Sequence, residues 1–190
     1  MEVVRVLGVD PGLSRCGVGV VDGPAGNPTA VRVGVIRTPA DAPTAERLAA
    51  LHAEIVGLVA ATRPDAVAVE RVFFNANVRT AMGVGQAAGV VLLAAAQAGV
   101  AVREYTPTQV KAAVAGHGAA DKAQVGYMVR ALLHLADAPK PPDAADALAL
   151  ALCHLQRAGA PGGEGQGMSP RLAAAVEAAG PGAQVTPPRR

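Results

Sequence analysis

Four acids in this 190-residue chain have the types and positions to do chemistry together: Asp10, Glu70, Asp143 and Asp146. Asp143 and Asp146 stand three apart in PPDAADALALA, a spacing that puts both carboxylates on one face of a helix. Asp10 closes the apolar run VVRVLGVD and Glu70 closes AVAVE, so each stands where a strand leaves the core. Sites in open α/β sheets gather at such strand ends. Carboxylates crowded there repel one another and stay ionised only around a cation. Oxygen-only ligands favour Mg²⁺ or Mn²⁺ over zinc, and two such ions about 4 Å apart can stabilise the attacking and leaving oxygens of phosphodiester cleavage. Singly, each acid has a plainer reading: an Asx turn at Asp10, a salt bridge at Glu70, a helix N-cap at Asp143, a solvated surface group at Asp146. The combination of a strand-end pair with a helical pair is what points to a metal cluster.

The elements that must position these acids can be read from periodicity. Val3 to Val9 and Gly17 to Val21 are β-rich runs separated by Pro11, Gly12 and Ser14, the punctuation of a hairpin. Val31 to Ile36 follows as a third run, so the chain opens with an antiparallel meander. Leu48, Leu51, Ile55, Leu58 and Thr62 then recur at helical spacing and stop before Pro64. Ala66 to Val69 predicts a short strand, Arg79 to Ala98 a helix rich in small residues, and Val100 to Tyr105 a fifth strand. Pro107 opens a short helix at the position that suits proline, Lys122 to Leu135 makes another, and Asp143 to Leu155 the last, with Asp143 as its N-cap. From Gly159 the chain is rich in Gly, Pro and Ala, so residues 1–157 are expected to form one domain and 158–190 a disordered tail.

Composition narrows the classes. A net charge of +2 gives no general pull toward nucleic acid, so any such contact needs local clustering of Lys and Arg. The two cysteines, Cys16 and Cys153, suggest neither a disulfide framework nor a zinc site. No leader pattern and no long uninterrupted apolar window is present, which predicts a chain without a membrane span, at work in the cytoplasm. His52, His117, His134 and His154 share no ligand spacing, and His154 is read as a cation at the end of the last helix. Gly83, Gly85 and Gly89 fail the G-x-G-x-x-G template, and their repetition suits close helix packing, taken here as the contact of a two-fold dimer.

The segments LGVDPGLSRCGVGVV, VAVERVFFNAN, GVGQAAGVVL, YTPTQVKAAVAGHGAADKAQV and PPDAADALALA, in this order, resemble the RuvC-type Holliday-junction resolvases of the ribonuclease H-like superfamily. The resemblance runs from about Val3 to Leu155. It implies an α/β fold with a five-stranded mixed sheet, first three strands antiparallel, flanked by helices. The activity it implies is that of a homodimeric endodeoxyribonuclease that nicks two opposing strands of a four-way junction, using Mg²⁺ or Mn²⁺, with two ions per site and 5′-phosphate products. On the matching positions, Asp10, Glu70, Asp143 and Asp146 would be the catalytic metal ligands, and some relatives carry His at the position of Asp143. Phe73 would stack on a base near the junction centre, and Lys111 and Lys122 would hold phosphate, with Arg79 and Asn77 as further DNA contacts. Relatives often carry Arg where this chain has Ala88. A branch-migration complex of the RuvA and RuvB type is the implied partner.

Rival readings have their own signatures. An actin-like ATPase shares the first acid-bearing hairpin but needs a second lobe and further phosphate loops. A ribonuclease H-like nuclease processing RNA shares the acids but would not be expected to combine the Phe73 loop with the Lys111 and Lys122 segments. A binding module without catalysis would have no need of all four acids.

Overall fold

The computed structural model describes residues 3–24, 26–71 and 78–158, the last segment with side chains from residue 81 onward. Five strands form one sheet in the order β3-β2-β1-β4-β5: β1 Val4–Asp10, β2 Arg15–Gly23, β3 Thr29–Arg37, β4 Ala66–Glu70 and β5 Ala101–Tyr105. The first three pair antiparallel, as a short hairpin connection dictates. β4 then joins β1 in parallel and β5 joins β4 in parallel, which requires crossovers. These are α1, Thr44–Thr62, and α2, Val78–Gln97. The fold expected from the sequence is therefore the fold observed.

Helices cover both faces. On one side α1 and α2 pack on Leu7, Val9, Val18, Val20, Val67 and Val69. On the other lie α3, Pro107–Ala115, α4, Lys122–Leu132, and α5, Pro142–Ala158, over a core that includes Val6, Ala68 and Tyr105. Alternation along β1 and β4 sends successive side chains to opposite faces.

α5 is apolar almost all round, buried without interruption from Ala147 to Leu155, which is the signature of a central helix. It comes close to the sheet because the residues beneath it lack side chains. A Cβ on Gly8 would be driven into the backbone carbonyl of Ala147, one on Gly17 into that of Asp143, and one on Gly19 into Leu148. Gly8 pairs with Gly19 and Asp10 pairs with Gly17 across the β1–β2 ladder, so the glycines form one bed beside the first acid.

The ends of most elements shift by one or two residues, and the last two helices differ in ways that bear on the site. α4 ends at Leu132 rather than Leu135, because His134 turns left-handed (φ 52°) and the Leu135 N–H bonds back to the Arg130 carbonyl at 3.0 Å. Histidine tolerates that conformation better than most residues, so no glycine marks the stop. α5 starts at Pro142, which makes Asp143 a first-turn residue and not the N-cap. It also runs through Ala158, one residue past the domain boundary expected at 157. The tail from Gly159, like Phe73, Phe74 and Asn77, lies outside the described residues.

Candidate active site

Asp10 and Glu70 end adjacent parallel strands. Val9 lies opposite Val69 in the β1–β4 register, so the next residue of each strand is an acid. Both acids take the face toward α5, since Asp10 is paired with Gly17 and Glu70 follows two residues after Ala68 of the α5-side core. Asp146, in the second turn of α5, completes a cleft of about 280 Å³ lined by Asp10, Glu70, Asp146, Lys111 and Lys122, with Pro107, Val110 and Val125 as part of its apolar wall.

Both lysines are delivered by helices whose starts are fixed by reciprocal caps. Thr106 accepts from the Gln109 N–H at 3.2 Å while its own N–H donates to Gln109 Oε1 at 2.9 Å, which sets α3 and therefore Lys111. Asp121 and Gln124 repeat the arrangement at 2.8 and 2.9 Å and set α4, whose first residue is Lys122. Lys122 Nζ reaches Asp146 Oδ2 at 3.1 Å. That bond raises the lysine pKa, although its side chain remains 81% exposed.

The electrostatics mark the pair of strand-end acids. Burial pushes Asp10 up to about 8, and the charges of Glu70 and then Asp146 add to it. Glu70 is also raised, by burial first, while its hydrogen bond with Asp10 works the other way. The two shifts run the same way because two carboxylates this close cannot both ionise without a compensating charge, so the pair shares a proton.

A hard divalent cation fits this donor set. The acids offer only oxygen, and the two cysteines are buried thiols, with Cys16 pushed up to about 12 by burial. Asp10, Glu70 and Asp146 line the cleft without converging into a three-ligand cage among the described residues.

Asp143 is placed differently. It does not line this cleft; Arg15 at the start of β2 donates to its Oδ2 from Nε at 3.0 Å and from Nη2 at 2.5 Å. Its charge still contributes to raising Asp10, as the smallest of the causes. The turn before Arg15 is braced by Thr38, whose hydroxyl donates to the Leu13 carbonyl at 2.5 Å, and by Arg47, which donates to Ser14 Oγ at 2.6 Å.

His154 is not the helix-end cation expected. It is buried, its Nδ1 lies 2.8 Å from the Tyr105 hydroxyl, and the rings meet edge to face. Burial lowers its pKa, so the ring is neutral. Ala88 is buried on α2, so no basic group reaches the surface there. Arg79 lies in the first turn of α2. Further along that helix, Gly85 and Gly89 face open space, and Met82 and Leu93 are exposed large apolar residues. Arg15 and the Tyr105–His154 pair were not singled out from sequence; the one available signal was the position of Arg15 directly after the acid-bearing turn.

A mixed sheet in this order, with carboxylates at the ends of β1 and β4, is a ribonuclease H-like nuclease fold. The family model described as crossover junction endodeoxyribonuclease RuvC matches residues 6–154, and the chain belongs to that family. It is 60% identical over 156 residues to a crossover junction endodeoxyribonuclease RuvC of Streptomyces avermitilis, covering 82% of this chain and 89% of that one. It is 54% identical over 157 residues to the one from Salinispora arenicola, covering 82% and 90%. Among solved structures it is similar to Thermus thermophilus RuvC in complex with a Holliday junction substrate, with a TM-score of 0.78 and 44% identity, covering 82% of this chain and 94% of that one.

Proposed function

We propose that this chain is a crossover junction endodeoxyribonuclease that acts as a homodimer, nicking opposing strands of a four-way DNA junction in recombination and repair. The observation that carries the reading is the cleft itself: three carboxylates and two lysines around one opening, in a chain of this family. Asp10, Glu70 and Asp146 would hold Mg²⁺, with Mn²⁺ as a substitute and two ions per site, and Asp143 is the candidate fourth ligand. When bound, the ions supply Lewis-acid stabilisation of the charge that develops on the scissile phosphate and its leaving oxygen. A water oxygen adds to phosphorus as the P–O3′ bond breaks, leaving a 5′-phosphate and a 3′-hydroxyl.

The chain's own residues prepare that step. Lys111 and Lys122 hold the phosphate backbone at the cleft mouth and fix its register without reading sequence. Val110 and Val125 give the cleft an apolar wall beside the acids. The proton shared by Asp10 and Glu70 would leave when positive charge arrives, freeing both carboxylates to hold the cation. Phe73 would stack on a base at the junction centre, a contact worth about 1–3 kcal/mol. Asn77 and Arg79 are the further DNA contacts of the same segment.

The outward stripe of α2, with Met82, Gly89 and Leu93, is the proposed dimer contact, since exposed apolar and small residues at helical spacing suit a two-fold helix pair. Two sites related by that axis would cut symmetrically. The proposed nuclease domain is that expected over residues 1–157, extended by one residue to the end of α5 at Ala158, and a RuvA- and RuvB-type branch-migration complex is the proposed partner. No helix among the described residues is long and apolar enough to cross a membrane; work on DNA in the cytoplasm is part of the proposal.

The test is cleavage of a synthetic four-way junction against linear duplex, with Mg²⁺ supplied or withheld, for the wild type and Asp146→Asn. Junction-selective, Mg²⁺-dependent nicking that is lost in the variant is expected. Equal cleavage of linear duplex would remove the reading.

A further inference from the structure

We propose that Arg15 is a latch on Asp143, competing with the divalent cation for that carboxylate, so that the fourth acid joins the site only when the ion displaces the guanidinium. The inference deepens the metal-dependent reading above and rests on it.

Four observations carry it. Both Arg15 donors converge on Oδ2 of Asp143, so a cation drawn to that oxygen must compete with the guanidinium for it. The backbone on each side is held: Gly17 lies directly under the Asp143 carbonyl, and the turn before Arg15 is braced by Thr38 and Arg47. The side chains alone are therefore left to move. Asp143 is near enough for its charge to bear on Asp10, yet it does not line the cleft that Asp10, Glu70 and Asp146 share. Finally, the ion pair is partly open to water, at 43% and 28% side-chain exposure, so its strength is within reach of exchange.

An exposed ion pair of this kind should weaken cation binding by roughly two- to fivefold through competition. Removing Arg15 also removes a positive charge, and that alone would help any cation. The two effects separate in a double-mutant cycle. Mn²⁺ binding to the full chain, without DNA, is measured from the loss of the free-ion paramagnetic resonance signal for wild type, Arg15→Gln, Asp143→Asn and the double variant.

The latch predicts that Arg15→Gln tightens Mn²⁺ by roughly two- to fivefold more with Asp143 present than once Asp143 is Asn, where only the lost charge acts. Equal tightening in both backgrounds would mean plain charge repulsion and overturn it, as would no change in either. Should Arg15→Gln not fold, Arg15→Lys carries the same comparison, because an ammonium cannot deliver two donors to one oxygen in the guanidinium geometry. A wild type that takes up no Mn²⁺ at all would bring down the metal-dependent reading and the latch with it, whereas uptake indifferent to Arg15 sinks the latch alone.

Discussion

Asp10 and Glu70 stand side by side because two parallel strands end in step, each with an acid on the face that α5 covers. Burial and mutual repulsion both work against ionising the pair, and most of what can be tested about the site follows from that.

Stability without metal should fall as pH rises. Asp10 is held up to about 8 against an ordinary 3.8, so between those values the folded chain carries a proton that the unfolded chain has lost. The contribution is present below the unfolded value, declines through the window at up to ~1.4 kcal/mol per pH unit, and is flat above the folded value. Thermal melts in chelator should show this decline for the wild type and a flatter profile for Asp10→Asn, which should melt several degrees higher at pH 8. Added Mg²⁺ should restore the wild type at pH 8 and do little for the variant. A wild-type melting temperature independent of pH would contradict the proton sharing.

Substituting the glycine bed should damage folding and catalysis together. Gly8→Ala and Gly17→Ala force a methyl group into α5 backbone, and overpacking of this kind typically destabilises by about 1–3 kcal/mol. Gly126→Ala on α4 meets open space and removes a helix-interior glycine, so it should stabilise by about 0.5–1 kcal/mol. Urea unfolding of the three variants decides the matter; a Gly126 variant less stable than the wild type, or a neutral Gly17 variant, would contradict the packing described.

Loss of the lysines should weaken junction binding in a salt-dependent way. Lys111→Ala and Lys122→Ala should each reduce the slope of log affinity against log salt by about 1. Lys122→Ala should also leave Asp146 without its 3.1 Å partner. Junction binding measured across a salt series, in Ca²⁺ to hold back cleavage, reads the slope directly. An unchanged slope would assign the lysines to the fold alone.

Phe73→Ala should reduce cleavage by about 5- to 150-fold, the equivalent of one lost stacking contact, and leave the melting temperature unchanged. A matching loss of thermal stability would place that ring in the core instead.

The meander, the two acid-tipped strands and the order of helices were legible in the sequence because each rests on local periodicity. What was not legible depends on partners far away along the chain. His154 reads as a terminal cation until Tyr105, in a strand 49 residues earlier, is set against it. Asp143 reads as a helix cap because its true partner, Arg15, lies 128 residues upstream. The end of α4 was missed for a local reason: His134 adopts a glycine-like backbone conformation without being glycine. The glycines at 8, 17 and 19 carried no signal of their own in the sequence, and only the helix above them reveals why side chains are excluded.

The enclosure of α5 has a consequence for the cell as well as for the enzyme. The helix that carries one cleft acid is also buried from Ala147 to Leu155 between sheet and neighbours, so Asp146 is held at the rim by the same packing that holds the sheet together. A substitution that loosens that packing anywhere along the helix would shift the acid as well as weaken the fold. A copy damaged in its core would then lose its grip on the chromosome and its power to cut it together.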